Sequence, residues 1–403
     1  MMRLKNQVTF SNLILALFIS AFTVTKGYEI FDRSSLKKIA LANNEFSFKL
    51  LGSLESDKNI FMSPFSIYVA LAMLSEGAKS ETYEQIRRVL NYNMAGIQRN
   101  NISRSFKRLL HFLQSNESEY ELNVANAMIF QSNYSISNEF LKKIKNDFNS
   151  LVRRVSFETG DNRAVTEVNN WIRQATGGKI KQLFRALEPE TKLVLLNAIY
   201  FKSVWENAFD SKKTYNRSFY NNGVNPVQVP FMHANIKSVM NVNFENFRAI
   251  SLPYKGKDVQ MIIVLPTNDY SLKNLQLNAE KLEEIISEMK PQPYLELALP
   301  KFTLQESLSL NEHLKNLGMK NSFTGRADLS GITGDKDLYV SEVMHKAVID
   351  VNEEGSVAAG TTGLILIAKV VTDRRFYCDR PFLFVIRDTR TGMNLFVGQL
   401  KQL

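Results

Sequence analysis

The segment from Gly355 to Val371, GSVAAGTTGLILIAKVV, constrains the fold of this chain more than any other stretch. From Gly355 through Ala368 it contains no charged residue and no proline. Small residues favour a flexible loop, whereas a proline-free run of β-forming residues favours a strand. A segment that is initially a loop and afterwards becomes a strand would satisfy both interpretations. In a strand, alternate residues lie on the same face, and one face of this segment would contain no charged residue. A sheet could therefore bury that face without the free-energy cost of burying a charge. The face comprises Ser356, Ala358, Gly360, Thr362, Leu364, Leu366 and Ala368.

The local pattern alone favours a simpler alternative, a buried strand preceded by a Gly/Thr linker. The flanking segments argue against that alternative. Upstream is HKAVIDVNEEG (His345 to Gly355), and downstream is FYCDRPFLFVI (Phe376 to Ile386). They resemble the segments that lead into and follow the reactive-centre loop of serpins. The block from Asn59 to Ile86, NIFMSPFSIYVALAMLSEGAKSETYEQI, is similar to the N-terminal motif of the same family.

The resemblance spans the mature chain, and it implies an α+β serpin fold. This fold has a large mixed β-sheet A, further sheets B and C, about nine helices and an exposed reactive-centre loop, here at about residues 353–375. The chain has 403 residues, of which 44% are hydrophobic, enough for a sizeable core. Length alone would allow two or three domains, but no composition break or Pro-rich linker divides residues 28–403. We therefore expect a single domain there.

The N-terminus has the pattern of a secretory signal peptide. Arg3 and Lys5 precede an apolar core, Leu13 to Phe22, that is too short to span a bilayer. We expect residues 1–27 to be removed after Gly27, which gives a secreted, extracellular protein with no membrane anchor. Four glycosylation motifs suit that location, and they lie at Asn101, Asn116, Asn133 and Asn216.

Periodicity predicts the elements around these motifs. Ser63 and Pro64 are typical of a helix start. The segment from Thr191 to Asp210 is predicted as one continuous apolar strand, and the segment from Leu295 to Phe323 as a strand followed by a helix that ends near Gly318.

The resemblance also assigns roles to polar residues in and near the main sheet. Ser63, Ser66, Asn197 and His345 match the family residues that hold the central strands of sheet A closed, a region called the shutter. Trp205, Lys301 and Glu353 match residues at the top of the sheet, called the breach, where loop insertion begins. The Lys301–Glu353 pair would add little stability, about 0–1 kcal/mol, and would act as a gate.

The expected reaction centres on Lys369. The scissile bond of the family usually lies fourteen residues after the hinge glycine, and counting from Gly355 gives Lys369–Val370. A lysine in an apolar loop also suits trypsin-like proteases, whose specificity pocket has a carboxylate floor. Neighbouring bonds at Ala368 or Val370, and the dibasic Arg374–Arg375, are alternatives. The hinge that must insert is composed of Glu353, Glu354, Gly355, Ser356, Val357, Ala358, Ala359 and Gly360.

An enzyme is not expected, because the chain has no GxSxG, HExxH, CxxC, Walker or GxGxxG motif. The resemblance instead implies a covalent inhibitor of trypsin-like serine proteases, without cofactor or metal; the alternative is a non-inhibitory carrier, store or chaperone. The single cysteine excludes an internal disulfide. We expect a monomer.

The net charge is +10, or about +7 without the leader. This balance permits a polyanion partner, and no feature indicates nucleic-acid binding. Arg104, Lys107 and Arg108 lie on a predicted amphipathic helix, 102–114, which binds heparin-like glycosaminoglycans in several serpins. An ordinary solvated helix face is the first interpretation of these charges, and polyanion binding is the second.

Overall fold

A computed structural model of the chain describes residues 34–54, 57–114, 119–157, 163–183, 188–267, 271–353 and 374–403. The α-helices are α1 (34–53), α2 (Pro64–Gly77), α3 (Ser80–Val89), α4 (Tyr92–Ala95), α5 (Ile102–Leu113), α6 (Asn138–Phe148), α7 (Arg163–Ala175), α8 (Ala279–Glu288), α9 (Asn311–Leu317) and α10 (Ser330–Thr333). The strands are β1 (Ile60–Met62), β2 (Tyr120–Gln131), β3 (Leu151–Val155), β4 (Leu193–Ser203), β5 (Thr214–Asn221), β6 (Asn225–Ile236), β7 (Val239–Asn243), β8 (Phe247–Pro253), β9 (Val259–Pro266), β10 (Lys290–Gln292), β11 (Leu295–Pro300), β12 (Phe302–Ser309), β13 (Val340–Val351), β14 (Arg375–Tyr377), β15 (Phe382–Asp388) and β16 (Asn394–Leu400).

Three sheets organise these strands, as the resemblance implied. Sheet A has the order β12-β13-β4-β2-β3 and is mixed, because β13–β4 and β2–β3 are parallel pairs whereas the other two pairs are antiparallel. Sheet B has seven strands in the order β1-β16-β15-β9-β8-β7-β10. Sheet C has the order β14-β11-β6-β5. The described residues form ten α-helices, close to the expected nine.

Helix α2 lies at the centre of the core. Ser63 is its N-cap and accepts a hydrogen bond from the backbone N–H of Ser66 at 3.2 Å, and Pro64 occupies the first turn, as the sequence predicted. Nearly all of its side chains are buried, and the helix contacts β2 and β4 of sheet A as well as β16 of sheet B. The main hydrophobic core therefore fills the space between these two sheets.

Two strand predictions were wrong in extent. The apolar strand predicted for 191–210 ends at Ser203, and Trp205 beyond it forms an isolated bridge with Tyr254. The single strand predicted after Leu295 is two strands in different sheets, since β11 ends at Pro300 in sheet C and β12 begins at Phe302 in sheet A. Lys301 lies at the crossing and donates its backbone N–H to the carbonyl of Pro230 at 2.9 Å. Alternation identifies a strand but does not identify its sheet, which explains this error.

None of the helices in the described ranges is both long enough and apolar enough to span a membrane. The leader predicted for residues 1–27 lies outside the described residues.

Candidate functional site

Strands β13 and β4 form a parallel seam along the middle of sheet A, and this seam opens at one end. Their paired register runs from Val340 opposite Leu193 to Val348 opposite Tyr200. Beyond Val348, β13 continues against β12 as far as Val351, while β4 continues against β2 as far as Ser203. The two strands therefore diverge at the end of β13 from which the chain proceeds to residue 354. A parallel pair that separates at one end can accept a new strand there, antiparallel to both neighbours.

A buried polar cluster lies beneath the middle of this seam. The Oδ1 atom of Asn197 on β4 accepts hydrogen bonds from the Ser66 hydroxyl, at 2.7 Å, and from Nδ1 of His345 on β13. Asn197 and His345 are direct partners across the seam. The backbone N–H of Ser63 donates to Nε2 of His345 at 3.0 Å. The structure thus joins the four residues that the sequence analysis grouped, and it ties both seam strands to the start of α2.

The hydrogen bonds define the tautomer of His345. Because Nε2 accepts from a backbone N–H, the ring proton lies on Nδ1 and is donated to Asn197. The His345 side chain is completely buried, and burial lowers its pKa to about 3. The ring is therefore neutral at physiological pH, which is the form that these hydrogen bonds require.

Asn126 completes the cluster, and the sequence analysis missed it. It lies on β2 directly opposite Asn197, whose Nδ2 donates to its Oδ1 at 2.5 Å. Its side chain is 3% exposed. A polar residue inside the apolar run VANAM was a usable signal, of the same kind as Asn197 within LLNAI. The cluster therefore spans three adjacent strands of sheet A.

Trp205, Lys301 and Glu353 meet at the open end of the sheet. The indole Nε1 of Trp205 donates to the carbonyl of Asn352 at 3.1 Å, and its ring stacks on Tyr254 with 4.4 Å between centroids. Glu353 forms an ion pair with Lys301 at 2.8 Å. These contacts hold the last two described residues before residue 354.

Thr214 makes a further contact with Glu353 that the sequence did not indicate. The Thr214 hydroxyl donates a hydrogen bond to Oε1 of Glu353 at 2.7 Å. Burial acts to raise the pKa of the Glu353 carboxyl, but hydrogen bonds from Lys301 and Thr214 outweigh it and leave the pKa below its ordinary value. Glu353 is therefore ionised at neutral pH and bound to both partners.

The basic residues of α5 face outward, as the helix pattern predicted. Arg104, Lys107 and Arg108 are exposed, while the opposite face of α5 is buried. The Lys107 amine forms an ion pair with Asp147 of α6 at 3.1 Å, which partly neutralises its charge. Polyanion binding by this helix stays a prediction.

Other predicted sites fall on both described and undescribed parts of the chain. Asn133 and Asn216 are exposed and Asn101 is half-buried. The remaining predicted positions lie outside the described residues: Asn116, Glu354, Gly355, Ser356, Val357, Ala358, Ala359, Gly360, Lys369 and Val370.

In the part of the chain that the structure describes, neither the single cysteine nor the possible metal ligands provide a reactive site. Cys378 is completely buried, and burial raises the pKa of its thiol, so the reactive thiolate is disfavoured. Within the described ranges, no group of three His, Cys, Asp or Glu side chains could hold a metal ion.

Comparison with known proteins agrees with this architecture. The model of the Serpin family, described as serine protease inhibitor, matches residues 41–403. Iripin-1 of Ixodes ricinus is 37% identical over 377 residues, covering 91% of this chain and 95% of its own. Intracellular coagulation inhibitor 2 of Tachypleus tridentatus is 35% identical over 379 residues, covering 92% of each chain.

A solved structure shows the same fold. Human thyroxine-binding globulin superimposes with a TM-score of 0.83 and 30% identity, covering 91% of this chain and 99% of its own. The family model, the relatives and the three-sheet architecture agree over nine-tenths of the chain. The chain belongs to the serpin family.

Proposed function

We propose that this serpin is a secreted inhibitor that traps trypsin-like serine proteases after acylation at Lys369–Val370. Serpins are a family of serine protease inhibitors, and the relatives include a coagulation inhibitor, which supports protease inhibition. The observation that carries the proposal is the open end of the β13–β4 seam beside residue 353. An inserting segment would enter the sheet there without first breaking paired backbone hydrogen bonds.

The proposed reaction begins as ordinary proteolysis. The protease serine attacks the Lys369 carbonyl carbon, the bond to the Val370 nitrogen breaks, and an ester joins the two proteins. Residues 355–369 then insert between β13 and β4. Fifteen residues at ~3.3 Å each carry the bound protease on the order of 50 Å, and its active site is distorted before water hydrolyses the ester. Loop insertion of this kind is a known property of serpins.

The described residues after the loop favour Lys369 over Arg374–Arg375. The carbonyl of Arg374 accepts the backbone N–H of Glu296 at 2.7 Å. Arg375 is the first residue of β14 and pairs in parallel register with Glu296. A protease needs an extended segment that it can bind on its own, and residues already paired in a sheet do not offer one.

The experiment that tests the proposal mixes the secreted protein with trypsin. We expect a covalent complex that survives detergent, with the cut mapped by mass spectrometry to Lys369–Val370. Lys369→Ala should abolish the complex, whereas the matched control Arg374→Ala should retain it. If trypsin cuts at Lys369 and leaves without being trapped, the inhibitory mechanism is wrong and the carrier alternative replaces it.

A carrier is the alternative, since human thyroxine-binding globulin has this same fold. Fold alone does not decide between the two functions. The hinge composition favours inhibition, because Ser356, Ala358, Ala359 and Gly360 are small and uncharged. Large, charged or proline residues there would impede insertion.

The proposal includes the partners and location expected from the sequence. These are secretion through removal of residues 1–27, a monomeric state, and a heparin-like glycosaminoglycan as a second partner of α5. The polyanion part predicts that heparin accelerates complex formation with trypsin, and that replacing Arg104 and Arg108 by Gln removes the acceleration. An unchanged rate with heparin would leave α5 as an ordinary solvated helix.

A further inference from the structure

A cavity of about 300 Å³ lies beside Trp205, one of the breach residues. It is bounded by the segment that follows β4, by the turn between β6 and β7 and by β8, and it extends to Lys257 and Gln260. Its walls are mainly apolar and include Trp205, Phe209, Ile236, Val239, Met240 and Leu252. A volume of this size is at the lower end of the range for small-molecule sites in proteins. The reaction proposed above does not use this space.

The cavity has a large apolar group at its rim. The side chain of Met240 is 40% exposed, although β7 on which it lies is paired with β8 and β10. Methionine is flexible and adapts to ligands of different shape. On the inner side of the cavity, Trp205 contacts Phe209 edge to face, with 6.2 Å between the ring centroids. The inner wall is therefore aromatic, whereas the rim carries the thioether of Met240.

The charge at the rim is of one sign. Lys237 and Lys257 line the cavity, and none of the described residues that line it is a carboxylate. Lys257 forms an ion pair with Glu206 at 3.4 Å, so its charge is partly used. Lys237 is exposed and makes no ion pair with a described residue. Lys237 is therefore the cation best placed to bind an anionic group of a ligand.

We propose that this cavity binds a small aromatic carboxylate, with the ring system against Trp205 and Met240 and the carboxylate at Lys237. Apolar walls select a flat hydrophobic body, and a lysine on the rim selects an anion that stays partly hydrated. The inference does not depend on protease inhibition, because it concerns a different surface and uses no residue of the loop.

The test uses two probes of nearly the same size and shape, the anion 1-naphthylacetate and its neutral amide, 1-naphthylacetamide, titrated into the full-length protein by isothermal calorimetry. We expect one naphthylacetate per chain, bound about fivefold more tightly than the amide, since an exposed ion pair contributes on the order of 1 kcal/mol. Lys237→Gln should remove that difference and leave amide binding unchanged. Lys142→Gln, which removes an exposed lysine on α6 instead, should preserve it.

Met240→Trp supplies the second variant, because a larger rim side chain should close the entrance without touching the buried wall. We expect it to lose both probes while melting at the same temperature as the unmodified protein. The chain has two tryptophans, so in Trp171→Phe the emission of Trp205 can be followed alone, and naphthylacetate should change it.

Several results would overturn the inference. One is a failure of naphthylacetate to bind, and another is equal affinity for the two probes. Binding that survives Met240→Trp, or that leaves the emission of Trp205 unchanged, would place the ligand elsewhere. Naphthylacetate should bind Lys369→Ala with normal affinity, and this result would separate the cavity from the proposed inhibitory function.

Discussion

At the scale of single residues, the buried polar cluster explains how a parallel seam can be closed and yet separable. Asn197 accepts from Ser66 and His345 and donates to Asn126, so one side chain joins α2, β13 and β2. Hydrogen bonds between buried polar groups are directional and are lost together when the strands separate. Apolar contacts at the same place would allow gradual slippage. The cluster therefore favours two distinct states of the seam.

The first prediction concerns Asn197→Ala. The substitution leaves the Ser66 hydroxyl, the His345 N–H and the Asn126 amide oxygen without their buried partner, and each such group costs about 1–3 kcal/mol. We expect a loss of about 3 kcal/mol in the free energy of unfolding, measured by urea denaturation. Asn146→Ala, at an exposed asparagine on α6 outside the glycosylation motifs, should change it by less than about 0.5 kcal/mol. Equal effects of the two substitutions would show that the cluster does not stabilise the native state.

The second prediction concerns pH. The pKa of His345 is about 3 in the folded state and ~6.5 when unfolded, so between these values the unfolded chain binds the additional proton. Stability should therefore fall as pH decreases from about 6.5 towards 3, by up to about 1.4 kcal/mol per pH unit. His345→Gln removes this contribution. Urea midpoints measured from pH 7 to pH 5 should fall more steeply for the unmodified protein, and identical slopes would contradict the assignment.

The sequence alone identified four residues of this cluster and missed Asn126. The reason for that omission lies in the strand register. Asn197 and His345 could be grouped through the family motifs. Asn126 has the same local signal as Asn197, a polar residue in an apolar run, but its pairing with Asn197 follows from the β2–β4 register. Thr214 was missed for the same reason, since its contact with Glu353 joins residues 139 positions apart. A one-residue change of register would move either side chain to the other face of its sheet, and no local pattern fixes register at that resolution.

At the scale of elements, the important feature is that neighbouring strands at the breach belong to different sheets. The chain leaves sheet C at Pro300 and enters sheet A at Phe302, and Lys301 between them forms the ion pair with Glu353. The sequence pattern predicted strand here correctly but placed both strands in one element. The change of sheet depends on packing between distant parts of the chain, which periodicity does not report.

The third prediction concerns the strand that the loop would form. Ser356 belongs to the uncharged face of the period-two pattern and Val357 to the opposite face. Ser356→Arg would require a buried, unpaired charge, so insertion should be slower than hydrolysis of the ester and the protein should become a cleaved substrate. Val357→Arg places the same charge on the other face and should retain most of the trapping. The readout is the ratio of covalent complex to cleaved inhibitor on a denaturing gel with trypsin.

Equal trapping by the Ser356→Arg and Val357→Arg variants would contradict the insertion of the hinge. If Ser356→Arg traps trypsin as well as Val357→Arg does, the hinge does not become a buried strand. The proposed insertion would then be wrong even if Lys369 is the site of cleavage.

At the scale of the whole molecule, the five-stranded sheet A is one strand short of the end state that the proposed mechanism requires. The three sheets were predictable, because long motifs carry the resemblance across the chain. The sequence pattern does not show whether the chain occupies the arrangement before loop insertion or the arrangement after it. The structure has β13 paired directly with β4 through Val348, which is the closed arrangement.

The central claim is that cleavage in the loop lets residues 355–369 become the middle strand of sheet A. The direct measurement compares thermal unfolding of the intact protein with that of protein cut in the loop by a protease that it does not trap. Our account predicts that the cut protein melts more than about 10 °C higher, because the new strand adds backbone hydrogen bonds to both neighbours and buries the uncharged face of the segment. A melting temperature that is unchanged or lower after the cut would contradict insertion, and with it the inhibitory mechanism.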